Sequence, residues 1–134
     1  MNLPEDLDQT IELAWQRANV VEGFVAENEL RFLATLAACT PADGFIVEIG
    51  SFKGKSTVAL ATVSDRYGLD QVVAIDPHAA LSYLGPDMPQ QTQTFDEFLA
   101  SLKSAGVEHK SGVPSLVFPR CRKSLESAHS IVVD

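Results

Sequence analysis

Two carboxylates are the side chains best placed to do chemistry: Glu48, near the end of the apolar run Phe45 to Ile49, and Asp76, after Val72-Val73-Ala74-Ile75. Between them Gly50-Ser51-Phe52-Lys53-Gly54-Lys55-Ser56-Thr57 forms a glycine-punctuated turn, which opens into helical spacing at Val58, Ala61 and Thr62. A strand, a turn and a helix start in that order place a ligand at the carboxyl end of the strand, facing the free N–H groups of the helix. An acid at the tip of the next strand can accept both hydrogen bonds of a ribose diol, and glycines let the backbone come close to the ligand. His78, two residues after Asp76, could serve as a base at the same edge; the competing expectation is a solvated loop histidine.

Glycine spacing separates three motifs. A phosphate-cradling loop needs four residues between its first glycine and Gly-Lys-Ser/Thr, but Gly50 and Gly54 have three between them, and the required glycine position holds Ile49. Glu48 would also repel bound phosphates. A dinucleotide fingerprint needs glycines where Phe52 and Lys55 stand. The third pattern, acid-x-Gly-x-x-x-Gly followed by an acid at the second strand tip, is met by Glu48, Gly50, Gly54 and Asp76.

In that form Val47-Glu48-Ile49-Gly50-Ser51-Phe52-Lys53-Gly54-Lys55-Ser56-Thr57, followed by Ala74-Ile75-Asp76-Pro77-His78, resembles motif I and the strand-2 motif of class I S-adenosylmethionine-dependent methyltransferases. The wording is closest to the methyltransferase-24-like branch, and the resemblance runs from about Glu22 to Lys110. It implies an α/β Rossmann-like parallel sheet with helices on both faces, S-adenosyl-L-methionine as cofactor and a small-molecule methyl acceptor. It assigns cofactor binding to Glu48, Gly50, Ser51, Phe52, Gly54, Asp76 and His78, and implies no metal. Methyl transfer needs chiefly proximity and alignment, so no catalytic acid or base is assigned. Lys55 and Ser56 are expected to be first-turn and surface residues. A P-loop-like nucleotide-binding protein is the alternative, supported by Gly54-Lys55-Ser56 and by Ile131-Val132-Val133-Asp134, which imitates a strand ending in a magnesium-holding aspartate. A non-catalytic Rossmann-like interaction module is the third reading.

The chain has 134 residues, enough for one domain but short for a complete doubly wound sheet. A net charge of −8 and a pI near 4.7 repel the phosphate backbone of a nucleic acid. Cys39 and Cys121 have neither zinc-site spacing nor the density of a disulfide framework, so idle or buried thiols in a reducing compartment are expected. The longest apolar stretch, Phe32 to Ala42, is too short to span a membrane. Glu5, Asp6 and Asp8 leave no basic n-region for a signal peptide, so the expected location is the cytoplasm.

In chain order, Leu7, Ile11, Ala14, Trp15 and Ala18 predict an N-terminal helix capped by Asp8, within an extension over residues 1–24. Leu30, Leu33, Leu36 and Ala37 predict a second helix ending before Pro41. A helix from about Lys55 stops at Gly68, strand two covers Gln71 to Asp76, and residues 77–93 form a long loop with the character of a lid or insertion. Thr94-Phe95-Asp96-Glu97 predicts a capping box, opening a helix that buries Phe95, Phe98, Leu99, Leu102 and Ala105 and stops at Gly106. Val113 to Phe118 is a candidate third strand spoiled by Pro114 and Pro119, and Ile131 to Asp134 a fourth. From Lys110 onward there are four basic side chains and two acids, against six and sixteen before it. This break in pattern predicts an incomplete sheet of about four strands in a truncated or frame-altered domain. Its open edge would then recruit a second copy.

Overall fold

The computed structural model describes residues 4–40, 44–78 and 94–112. Four helices, α1 (Leu7–Asn19), α2 (Glu27–Ala38), α3 (Lys55–Tyr67) and α4 (Phe95–Ala105), pack with three short strands, β1 (Ile46–Ile49), β2 (Val72–Ile75) and β3 (Ser111–Gly112). The strands are parallel in the order β1-β2-β3, with Ile46 opposite Val72 and Val72 opposite Ser111. This is a small α/β fold. Among the described residues no helix is long and apolar enough to cross a membrane.

Helix α3 is the centre of the packing. Every residue from Ser56 to Ser64 is buried, so the helix has no solvent face over these turns. A helix enclosed on all sides must be apolar or hydrogen-bonded all round. Val58, Leu60 and Val63 supply the apolar bulk, and Ala59 and Ala61 let neighbours approach closely. The hydroxyl of Thr62 donates to the Val58 carbonyl at 2.8 Å and that of Ser64 to the Leu69 carbonyl at 3.2 Å. Ala14 and Ala18 of α1, Leu30 and Ala34 of α2, Val72 and Ala74 of β2, and Phe98 and Leu102 of α4 complete one continuous core. The N-terminal segment, read from sequence as an extension, therefore contributes to the same core as the sheet.

Several local expectations are corrected by tertiary contacts. Asp8 does not cap α1; Asp6 occupies the cap position, and its carboxylate accepts from the Tyr67 hydroxyl at 3.1 Å and pairs with Arg66 instead of closing on the helix. Leu99, assigned to a buried stripe, lies at the surface. Parallel pairing of the third strand begins at Ser111–Gly112, before the proline-flanked run. Residues 113–118, the long loop after His78 and the fourth-strand candidate all lie outside the described residues. Gly68 and Gly106 do end α3 and α4 in the left-handed conformation (φ 63° and 68°), as their spacing predicts.

Helices were expected on both faces of the sheet. Among the described residues only one face is covered. Ile46 packs against the core and Val72 and Ala74 lie in it, whereas the alternate side chains on β1 point away: Val47 is 57% and Ile49 84% exposed, with Phe45 at 68% just before the strand. Parallel sheets normally carry apolar side chains on both faces because both are covered.

Two measurements follow from this packing. Gly54 has φ +92°, and an added Cβ would stand 3.0 Å from Phe98 Cδ2, so Gly54→Ala should destabilise the fold by about 1–3 kcal/mol, read as a lower denaturation midpoint. The double substitution Val47→Thr, Ile49→Lys should leave the helical circular dichroism unchanged and reduce concentration-dependent association in sedimentation, because those side chains support no contact in the core.

Candidate functional site: two carboxylates at the β1–α3 loop

The loop from Gly50 to Gly54 leaves β1 through three residues with positive φ, namely Gly50 (+89°), Phe52 (+49°) and Gly54 (+92°). The Gly50 N–H still donates to the Ile75 carbonyl at 2.8 Å, so the turn starts from a paired strand end. Among the described residues, no heavy atom beyond its chain neighbours lies within 4 Å of where a Gly50 Cβ would stand, which leaves open space over that backbone.

Asp76 lies just beyond the tip of β2 and binds two separate segments. Its Oδ2 accepts from the Phe52 N–H at 2.8 Å, and its Oδ1 accepts from the His78 N–H at 2.7 Å. Phe52 and His78 (φ +46°) are the two non-glycine residues with positive φ among the described residues. Such a conformation costs an L-residue of order 1–3 kcal/mol and persists when its surroundings over-determine it. One carboxylate holds both. A carboxylate has about four acceptor positions, so two remain after the donors among the described residues are counted.

Glu48, at the end of β1, accepts hydrogen bonds from the Ser56 and Thr57 hydroxyls in the first turn of α3. The helix N-terminus adds favourable positive potential. Burial nevertheless pushes the Glu48 carboxyl above its ordinary range; the two hydroxyls pull it down and neighbouring Asp76 pushes it further up. The sequence reading of Ser56 as a surface residue is corrected, since it is buried against this acid. Thr57, named in the motif, was given no role. The available signal was a pair of hydroxyls eight and nine residues after an acid, at the point where strand and helix must meet.

His78 is not the solvated loop histidine considered from sequence, being only 8% exposed. Its Nδ1 lies 2.9 Å from the Thr94 hydroxyl and 3.7 Å from Asp76 Oδ1, and its ring sits 5.3 and 5.2 Å from the rings of Phe95 and Phe98. Burial lowers its pKa against the opposing pull of Asp76. The Thr94 hydroxyl consequently makes no cap bond, and the predicted capping box does not form. Its other arm, Glu97, pairs with Lys53 at 3.0 Å. Lys53 also holds Glu22 at 2.7 Å, so the loop tip is tied to both the turn after α1 and the start of α4. Phe52 stacks obliquely on Phe24 at 5.4 Å.

The site therefore gathers Glu48, Gly50, Ser51, Phe52, Gly54, Asp76 and His78 around one loop. Ser51 Oγ is buried with no hydrogen-bond partner among the described residues. Lys55 points elsewhere, its ammonium 5.8 Å from the centre of the Trp15 ring on α1. No protein-family model and no curated protein matches the chain.

The buried histidine sets a pH dependence. Its folded pKa lies below the unfolded value near 6.5, so its contribution to stability is complete above that value and is lost as pH falls through the folded pKa. Glu48, with a raised pKa, acts in the opposite sense: its contribution is complete below the unfolded value near 4.5 and declines as pH rises through the folded pKa. In His78→Asn, which keeps a residue tolerant of positive φ, the fall in melting temperature between pH 7.5 and 5.5 should become shallower than in the parent.

Proposed function

We propose that the β1–α3 loop is the S-adenosylmethionine site of a class I methyltransferase domain with a Rossmann-like, incompletely described sheet, acting on a small-molecule acceptor. The observation that carries this reading is the Asp76 carboxylate at the tip of β2. It is fixed by the backbone of Phe52 and His78, with two acceptor positions left for a ribose diol. Strand order is consistent with it, because β1-β2-β3 with β2 central is the order found in one half of a doubly wound sheet, where the ligand crevice lies at the carboxyl end of the first strand. The residues present fit such a cofactor: the space over Gly50 admits a ligand close to the backbone, and the buried Ser51 hydroxyl has a hydrogen bond to give.

When bound, the cofactor supplies an electrophilic methyl group on a sulfonium. The chain's own residues bind and orient. Asp76 would fix the ribose, and Gly50 and Ser51 would line the approach. Glu48 sets the course of the loop by tying β1 to α3 and places negative charge near a cationic ligand. His78, whose pKa burial lowers, would lie beside the diol site as a wall whose orientation is fixed by the contact of its Nδ1 with Thr94.

The P-loop alternative is less well supported. Its lysine, Lys55, faces Trp15, and its metal-binding hydroxyl, Ser56, is bound to Glu48. Two carboxylates at the loop would oppose a polyphosphate. The interaction-module reading has one observation in its favour, the uncovered apolar side chains Val47 and Ile49.

Calorimetric titration should detect binding of S-adenosylhomocysteine and none of Mg-ATP; the reverse result would exclude the methyltransferase reading. Asp76→Ala should weaken that binding by about 1.5–3 kcal/mol, the range for hydrogen bonds to a charged group. Equal affinity in parent and variant would remove Asp76 from the ligand site.

A further inference from the structure

A second concavity lies away from Asp76, between the C-terminal end of α1 and the exposed side of α4. Its volume is about 360 Å³, at the lower end of the range for small-molecule sites. Val20, Val21, Ala100 and Ala105 give it apolar surface, and Ser101 and Ser104 add hydroxyls. Its charged lining is Arg17, Glu22, Lys53 and Glu97.

These four charges are not equivalent. Lys53 is held in place, with a side chain only 17% exposed, while its partners Glu22 and Glu97 are 73% and 54% exposed and free to turn into solvent. Arg17 makes no ion pair among the described residues. A cation entering the groove would have to take the glutamates from an ammonium that already holds them at 2.7 and 3.0 Å. An anion takes the place of the Glu22 and Glu97 carboxylates at Lys53, and both, being more than half exposed, can return to water at little cost.

We propose that this groove binds a small organic oxyanion, a carboxylate or phosphate carried on an apolar body, with its charged end between Arg17 and Lys53 and its body against Val21 and Ala100. In the absence of such a ligand the Glu22 carboxylate occupies the Lys53 end of the site. Because Lys53 belongs to the loop whose next-door residue Phe52 donates to Asp76, occupancy hands the tether of that loop from a side chain to a ligand. The proposal does not depend on what the loop itself binds.

The test is a titration of the full chain with benzoate, with phenyl phosphate and with neutral benzyl alcohol, followed by amide NMR shifts. Saturable shifts at Val21, Ala100 and Ser104 are expected with at least one anion and not with the alcohol; the stronger anion identifies the headgroup. Glu22→Gln, which removes one of the two competing carboxylates, should tighten binding several-fold, and Arg17→Ala should weaken it at least ten-fold. Ala100→Leu, at an exposed position of α4, should abolish it by filling the groove. Equal response to the alcohol, no saturable shift in the groove, or unchanged affinity in Arg17→Ala with its spectrum otherwise intact would each overturn the proposal.

Discussion

A carboxylate is buried where β1 ends and α3 begins, and much of the surrounding structure is what such a group requires. An isolated ionised carboxyl away from water is costly unless it is hydrogen-bonded. Glu48 meets that requirement with two hydroxyls from the first turn of α3. Those hydroxyls are available only if the helix begins immediately after the loop, and the left-handed Gly54 is what turns the chain into that start. Strand, loop and helix are thus set by one acid and its two donors. α3, enclosed on every side from Ser56 to Ser64, transmits that position to α1, α2 and the sheet.

Around the loop, contacts close into a circuit. Glu22 and Glu97 hold Lys53; Thr94, three residues before Glu97, holds His78; the His78 backbone holds Asp76; and Asp76 returns to the loop at Phe52. The surface ion pairs at Lys53 are individually weak. Their value lies in position, since they restrain the tip of a loop whose other end is anchored by charge-assisted hydrogen bonds to Asp76. Among the described residues, positive φ at non-glycine positions is confined to Phe52 and His78, the two residues that Asp76 holds.

The circuit also accounts for a helix that begins without its local cap. Thr94 and Glu97 have the types and spacing of a capping box, worth on the order of 1 kcal/mol, but both side chains are drawn into contacts with His78 and Lys53. Asp6 at α1 behaves in the same way toward Tyr67 and Arg66. In each case a partner distant in sequence competes with the local N–H group for the same oxygen and wins, because packing has already brought that partner within reach.

The apolar runs of β1 and β2, the glycine turn between them, the helical spacing of α1 to α4 and the stops at Gly68 and Gly106 were legible in the amino-acid order, because they rest on periodicity and on backbone freedom, which are local properties. So was the position of Glu48 and Asp76 at the ends of β1 and β2, because it follows from the same apolar runs. The burial of His78, the loss of the Thr94 cap, the pairing of Ser56 and Thr57 with Glu48 and the turning of Lys55 toward Trp15 were not. Each of these depends on which side chains meet across 8 to 40 residues of chain, and no local pattern encodes that distance. The third strand shows the same division: the sequence offered only a proline-flanked run after Gly112, and it was pairing with Val72 and Val73 that placed the described parallel segment at Ser111–Gly112.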